Sequence, residues 1–223
     1  RGRRAHLMAA LADFERFVLP LVEGAPAPAV EDAILDAAVE FCTRTRLLRT
    51  FLDPLTLVPG TTEYELDPPE ADSQIVDVTA AWLPEGPLEP ATRPELEELF
   101  PDGWAWRQVG TTAEVRRFYC RLPGFIRLVP AVAAKAPRAL RLEVAYAPTR
   151  SARELADVLL NRYAEQLANG ALARLHQHKA GYADAGRASA YLTAFEQACN
   201  GLADEGARGF ARRRMRTGGD EFR

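Results

Sequence analysis

Val30-Glu-Asp-Ala-Ile-Leu-Asp-Ala-Ala-Val-Glu-Phe-Cys-Thr-Arg-Thr-Arg-Leu-Leu48 and Gln74-Ile-Val-Asp-Val-Thr-Ala-Ala-Trp-Leu83 together decide the fold class. In the first stretch Val30, Ile34, Ala37, Ala38, Phe41, Cys42, Thr45 and Leu48 recur at the spacing of one helix face, so it predicts an amphipathic helix. Ala25-Pro26-Ala27-Pro28 supplies its entry. The second stretch is rich in β-branched and aromatic residues and predicts a strand. A helical period that gives way to an extended one within a single chain makes the class α+β.

Outward from the strand, Pro and Gly punctuate the chain from Leu55 to Pro148 into short runs. Strands are expected at Leu55 to Val58, Thr62 to Leu66, Gln74 to Leu83, Ala113 to Arg121, Phe125 to Val129 and Ala139 to Tyr146, all antiparallel. Pro59-Gly60, Asp67-Pro68-Pro69, Pro84-Glu85-Gly86-Pro87 and Pro123-Gly124 supply the turns. Thr92 with Glu95 forms a capping-box signature for one short helix carrying Leu96, Leu99 and Phe100.

Outward from the first helix, Leu11 to Leu19 predicts a short helix ended by Pro20. Beyond the β region, Ser151 with Glu154 repeats the capping-box pattern before Leu155, Leu159, Tyr163, Leu167, Leu172 and Leu175. A turn over Lys179 to Asp184 leads to a last stripe, Ala188, Tyr191, Leu192, Phe195, Ala198, Cys199 and Leu202. The predicted organisation is a leader at 1–13, a helical bundle from 14–54 and 149–205, an inserted antiparallel β-sandwich-like module at 55–148, and an arm at 206–223. Met8 is a candidate natural start.

Composition narrows the function classes. The chain has 223 residues, 48% of them hydrophobic, and a net charge of −3, an ordinary globular balance without the basic surplus of a general nucleic-acid binder. Cys42, Cys120 and Cys199 are too few and too scattered for a disulfide framework and read as small buried hydrophobes. No apolar run has the length of a membrane span, and the chain reads as soluble.

Candidate chemistry resolves mostly into structure. His176 and His178 stand two positions apart on a helix, point about 200° from each other, and so cannot share a metal; both are expected on exposed helix surface. Ser73, Ser151 and Ser189 lie in no nucleophile motif. Glu95, Glu97, Glu98, Asp67, Glu70 and Asp72 read as solvated charge rather than a catalytic pair. Trp104, Trp106 and Tyr119 with Arg107, Arg116 and Arg117 read as half-buried strand residues rather than a stacking platform. No catalytic residue, cofactor or metal is expected.

The end of the chain is different. From residue 205 on, six arginines against three acids give +3 and leave −6 for the rest. Such a segment cannot build its own core. Phe210, Met215 and Phe222 among Arg208, Arg212, Arg213, Arg214 and Arg216 suit docking onto an acidic, grooved protein surface.

The order of the pieces resembles the phage tail-adaptor, or head-completion, proteins of short-tailed bacteriophages. The likeness is carried by Phe14-Glu-Arg-Phe-Val-Leu-Pro20, Ala33 to Cys42, Gly60-Thr-Thr-Glu-Tyr-Glu-Leu66, the Thr92 to Trp104 segment, Phe125-Ile-Arg-Leu-Val-Pro130, Leu142 to Pro148, Glu165 to Leu175 and the Phe195 helix, over roughly residues 14–205. The resemblance implies a structural protein of the virion, made in the host cytoplasm. It would form a ring of twelve copies under the portal protein, extend the channel for DNA held there without sequence preference, retain that DNA, and carry the next tail component, a nozzle or a tail-tube or spike protein. The basic arm would then be the portal-binding element. Two other classes compete: a cell-wall-cleaving enzyme of phage entry, and a stand-alone β-sandwich binding module.

Overall fold

A computed structural model describes residues 8–100, 115–178 and 181–208. Met8–Ala10 (β1) leads into α1 (Ala12–Val18), which a single 3-10 turn closes at Pro20 as expected. Residues 8–13, expected to belong to the leader, are therefore structured. α2 spans Ala27–Thr45 with Pro26 extended at its start and Pro28 in its first turn, where a missing N–H costs nothing. Its buried face is the predicted stripe, from Val30 through Ile34 and Phe41 to Thr45.

The β region comes next, as β2 (Arg49–Phe51), β3 (Leu55–Leu57), β4 (Glu63–Glu65), β5 (Ser73–Leu83), β6 (Gly86–Pro90), α3 (Arg93–Leu99), β7 (Arg117–Tyr119), β8 (Phe125–Val129) and β9 (Ala136–Pro148). The strands run β2-β9-β5-β6-β7-β8-β4 in one connected sheet, and β3 continues the β2 edge of β9. Two register shifts in β5, between Ile75 and Asp77 and between Val78 and Ala80, are bulges that bend it and curl the sheet.

The fold class is α+β, but the sheet is mixed rather than antiparallel throughout. β6 and β7 pair in parallel, Glu89 with Arg117 and Pro90 with Phe118. A parallel pair needs a long crossover, and the connection containing α3 supplies it. The expectation failed because Gly86-Pro87 reads as part of a turn, whereas Gly86, at φ 151, already belongs to β6.

The chain then returns to the helices. β10 (Glu154–Ala156) pairs with β1, Met8 opposite Ala156 and Ala10 opposite Glu154. The expected helix start at Ser151 is thus corrected: α4 spans Asp157–Gln177, and Ser151 Oγ lies 3.0 Å from Thr149 Oγ1 instead of capping a helix. A long-range strand pairing has overridden a local capping pattern. α5 spans Ala185–Arg208, starting from Asp184, whose Oδ1 accepts the Gly186 and Arg187 N–H groups at 3.0 Å.

Two large hydrophobic cores result among the described residues, with a small third cluster of Leu96 and Val129 beside them. One joins α1, α2, α4 and α5 around Phe14, Phe41, Leu159, Leu167 and Phe195; the other fills the curled sheet around Phe118, Ile126, Leu128, Leu140 and Leu142. β9 serves both: Leu140, Leu142 and Val144 lie in the sheet core, Tyr146 and Ala147 in the helical core.

Candidate assembly surfaces

Two clefts flank the strip where β2, β9 and β5 lie side by side. The first lies where α2 ends. Arg46 adopts the left-handed conformation (φ 51) and closes α2, its N–H donating to the Cys42 carbonyl at 2.9 Å; the chain then swings into β2. That turn brings Arg44, Arg46 and Arg49 to one cleft of about 480 Å³, which Asp77 and Thr79 on β5 and Ala203 on α5 also line. Arg44 donates to Glu40 and to Asn200, each at 3.1 Å, Arg46 stands 3.3 Å from Asp77, and Arg49 lies 4.0 Å from Glu143. Beyond Arg49 on the same face of β2 is Phe51, 66% exposed, its ring 5.9 Å from that of Trp82.

The second cleft, about 330 Å³, lies between the β1/β10 ribbon and the loop before β5. Leu48, Tyr146, Leu155 and Leu159 line it, all buried; Glu70, Asp72 and Glu154 stand at its edge with one arginine, Arg153. Buried Ser73 locks the loop, donating to the Glu70 carbonyl at 2.8 Å while its Oγ accepts the Glu70 N–H at 3.0 Å. Burial, and then the nearby Glu70 carboxylate, push the Tyr146 phenol well above its ordinary value. Asp72 and Glu154 make no ion pair among the described residues.

The other residues singled out in the sequence take structural places. His176, expected on the helix surface, is instead buried: Nδ1 meets the Tyr182 carbonyl at 2.8 Å and the ring stacks on Tyr191 at 5.8 Å. Sequence could not reveal this, because α5 and its entry loop, not α4 itself, cover that face. His178 is exposed. Glu95 accepts the Thr92 N–H at 2.7 Å in the predicted capping box, and Glu97 pairs with Arg93 at 2.8 Å. Tyr119 and Arg117 are half-buried in β7, with Arg117 3.5 Å from Glu89. Cys42 and Cys199 are buried and Cys120 half-buried, all as free thiols.

α5 continues through Arg208, six residues past Leu202, where apolar density falls. Phe210, Arg212, Arg213, Arg214, Met215, Arg216 and Phe222 of the predicted arm, with His6, Trp104, Trp106 and Arg107, lie outside the described residues. The Arg44, Arg46 and Arg49 cluster was missed in the sequence, although its signal, three arginines within six residues just after a helical stripe, is there to be read.

No helix among the described residues is long and apolar enough to cross a membrane. The model of one protein family, described as SU10 adaptor protein, matches residues 6–218, nearly the whole chain and all of the span over which the sequence resembles phage adaptors. No curated protein matches the chain.

Proposed function

The chain belongs to the SU10 adaptor protein family, a family of bacteriophage adaptors, and from that we propose that it works as a ring at the head-to-tail junction of the virion, between the portal and the next tail component. The near full-length family match carries this reading. The two cores joined through β9 support it, since an adaptor must keep its upper and lower attachment surfaces in fixed relation. Extension of the DNA channel and retention of packaged DNA are the roles such a ring would have. The work asked of the chain is binding and positioning, so no catalytic step is assigned.

The end of α5 supports a portal-facing role for the basic C-terminal arm. A helix that runs to Arg208 leads directly into Phe210, Arg212, Arg213, Arg214, Met215, Arg216 and Phe222, and arginines with apolar anchors suit an acidic receptor groove. The test compares the full chain with a truncation after Arg208, which keeps α5 whole, for binding to portal-bearing capsids and for retention of their DNA. Full-length protein should bind, with an affinity that falls as salt rises, and the truncation should bind weakly and lose DNA. Failure of the full chain to bind portals would overturn the adaptor role at that position; equal binding by both would remove the arm from it.

A further inference from the structure

We propose that the acidic cleft takes up the chain's own N-terminal segment, residues 1–7, with Arg4 as the side chain that enters it. The cleft has a charge surplus to meet. Glu70, Asp72 and Glu154 stand at its edge against one arginine, Arg153, and none of the four makes an ion pair or a side-chain hydrogen bond among the described residues. The floor adds a polar group. Tyr146 is 2% exposed and lines the cleft, and its phenol oxygen has no hydrogen-bond partner among the described residues. Buried polar groups are rarely left so, and this one calls for a donor. The Glu70 carboxylate is near enough to raise that phenol, so the unpartnered hydroxyl and an unpaired carboxylate serve the same part of the cleft.

The occupant follows from where β1 begins. Met8 itself lines the cleft, so residue 7 is one peptide bond from its wall. Residues 1–7, Arg-Gly-Arg-Arg-Ala-His-Leu, lie outside the described residues and hold three arginines and no acid, the charge opposite to that of the cleft. Within β1 the sides alternate: Ala9 is buried in the helical core, while Met8 and Ala10 are exposed on the other side. Carried back with the same period of two, the strand puts His6 and Arg4 on the side of Met8, and Leu7, Ala5 and Arg3 on the opposite side. Arg4 is four residues from Met8, at most about 14 Å of extended chain. Its methylene stem suits the apolar floor of Leu48, Leu155 and Leu159, and its forked N–H donors suit Glu70, Asp72 and the phenol together.

A segment seated there is a strap. The β1/β10 ribbon has three residue pairs, too few to stand alone, and β10 leads directly into α4. On the far side of the cleft, the loop that carries Glu70 and Asp72 leads directly into β5. Arg4 between them ties the start of α4 to the start of β5.

Cysteine trapping in the full-length chain tests the placement. A chain with Arg4→Cys and Asp72→Cys is oxidised by glutathione disulfide beside a control with Arg4→Cys and Glu85→Cys, an exposed site past the other end of β5, about 30 Å from Ser73. The native thiols stay out of exchange because burial pushes Cys42 and Cys120 up to about 12 and Cys199 up to about 11. The expected result is a cross-link within one chain that forms about tenfold faster than in the control, at a rate unchanged by dilution. Hydrogen exchange gives a second measurement that needs no new bond. Arg4→Gln should speed exchange of the β1 and β10 amides about fivefold at low salt, and Arg3→Gln should leave it near the wild-type rate. Raising sodium chloride to about 0.5 M should bring the wild-type chain towards the Arg4→Gln rate. Equal trapping in the two chains, a cross-link that forms between chains instead of within one, or equal effects of the two glutamine variants would overturn the proposal.

Discussion

Gly170 on α4 meets the ring of Phe195 on α5 so closely that a methyl group at position 170 would stand 2.8 Å from two ring carbons and 2.9 Å from the Cβ of Ala37 on α2. Three helices therefore converge on a point that only a hydrogen atom fits. Gly170→Ala gains about 1 kcal/mol of helix propensity, but the overpacking costs about 1–3 kcal/mol because neither neighbour is free to move. Phe195 is fully buried, packed 6.4 Å from the Phe41 ring and under the Arg174 guanidinium at 5.6 Å. Urea unfolding should show a net loss of up to about 2 kcal/mol; a stabilised variant would mean that the helices can spread there.

Phe41 and Phe195 are each wholly buried, and Phe41 also packs 5.4 Å from Tyr163. Truncating either to Ala removes a large apolar side chain and leaves a cavity, at a cost of about 3–5 kcal/mol. Since the rings touch, the double variant should cost less than the sum of the two. Equilibrium denaturation of the three proteins checks both statements, and a loss below about 1 kcal/mol at both positions would mean that the helical core is wrongly drawn.

The thiols should be silent in the native protein. Cys42, Cys120 and Cys199 are pushed above their ordinary value of 9.0, first of all by burial. At pH 8 iodoacetamide should label none of them within minutes, and mass spectrometry should count three adducts once the chain is unfolded. The same shifts fix the alkaline behaviour. The folded state holds the Cys42 proton more tightly than the unfolded chain does, so this stabilisation is complete below about 9 and disappears as pH rises towards about 12.

Acid acts on the helix starts. Thr92 holds the Glu95 carboxyl below its ordinary value through its backbone N–H and then its hydroxyl, and the Arg187 and Gly186 N–H groups do the same for Asp184. Folding thus favours the charged forms. Their contribution is present above the ordinary carboxylate range and is lost as pH falls through the lowered folded values. Hydrogen-exchange protection in the first turns of α3 and α5 should fall as pH drops below the ordinary values of 4.5 for Glu95 and 3.8 for Asp184, and Glu95→Gln and Asp184→Asn should flatten that dependence.

Helices whose faces carry an unbroken stripe, such as Val30 to Thr45 and Ala188 to Cys199, were legible because burial follows their own period. Strands made by partners far away were not. Leu155 and Ala156 carry no local sign that Met8 to Ala10 will pair with them, and Pro87 and Pro90 disguise β6 as a turn although both lie in it. His176 was misplaced for the same reason, since its cover comes from Tyr182 and Tyr191 beyond the next turn. The clefts were hidden except for the arginine run itself: Asp77 joins Arg49, and Glu70 and Glu154 come to one cleft, only through the folding of distant strands.

β9 has a mechanical consequence. Its eight paired residues against β5 run from Ser73–Pro148 to Trp82–Arg141, with one end of the strand gripped by the helices and the other by the sheet. Tension that draws the helical end away from the sheet along this strand loads its cross-strand hydrogen bonds together, in shear, rather than one after another from an end. The seam between the helical and the sheet end of β9 therefore resists as a unit, and rupture under a pulling force along the strand should require breaking that whole seam in a single high-force event.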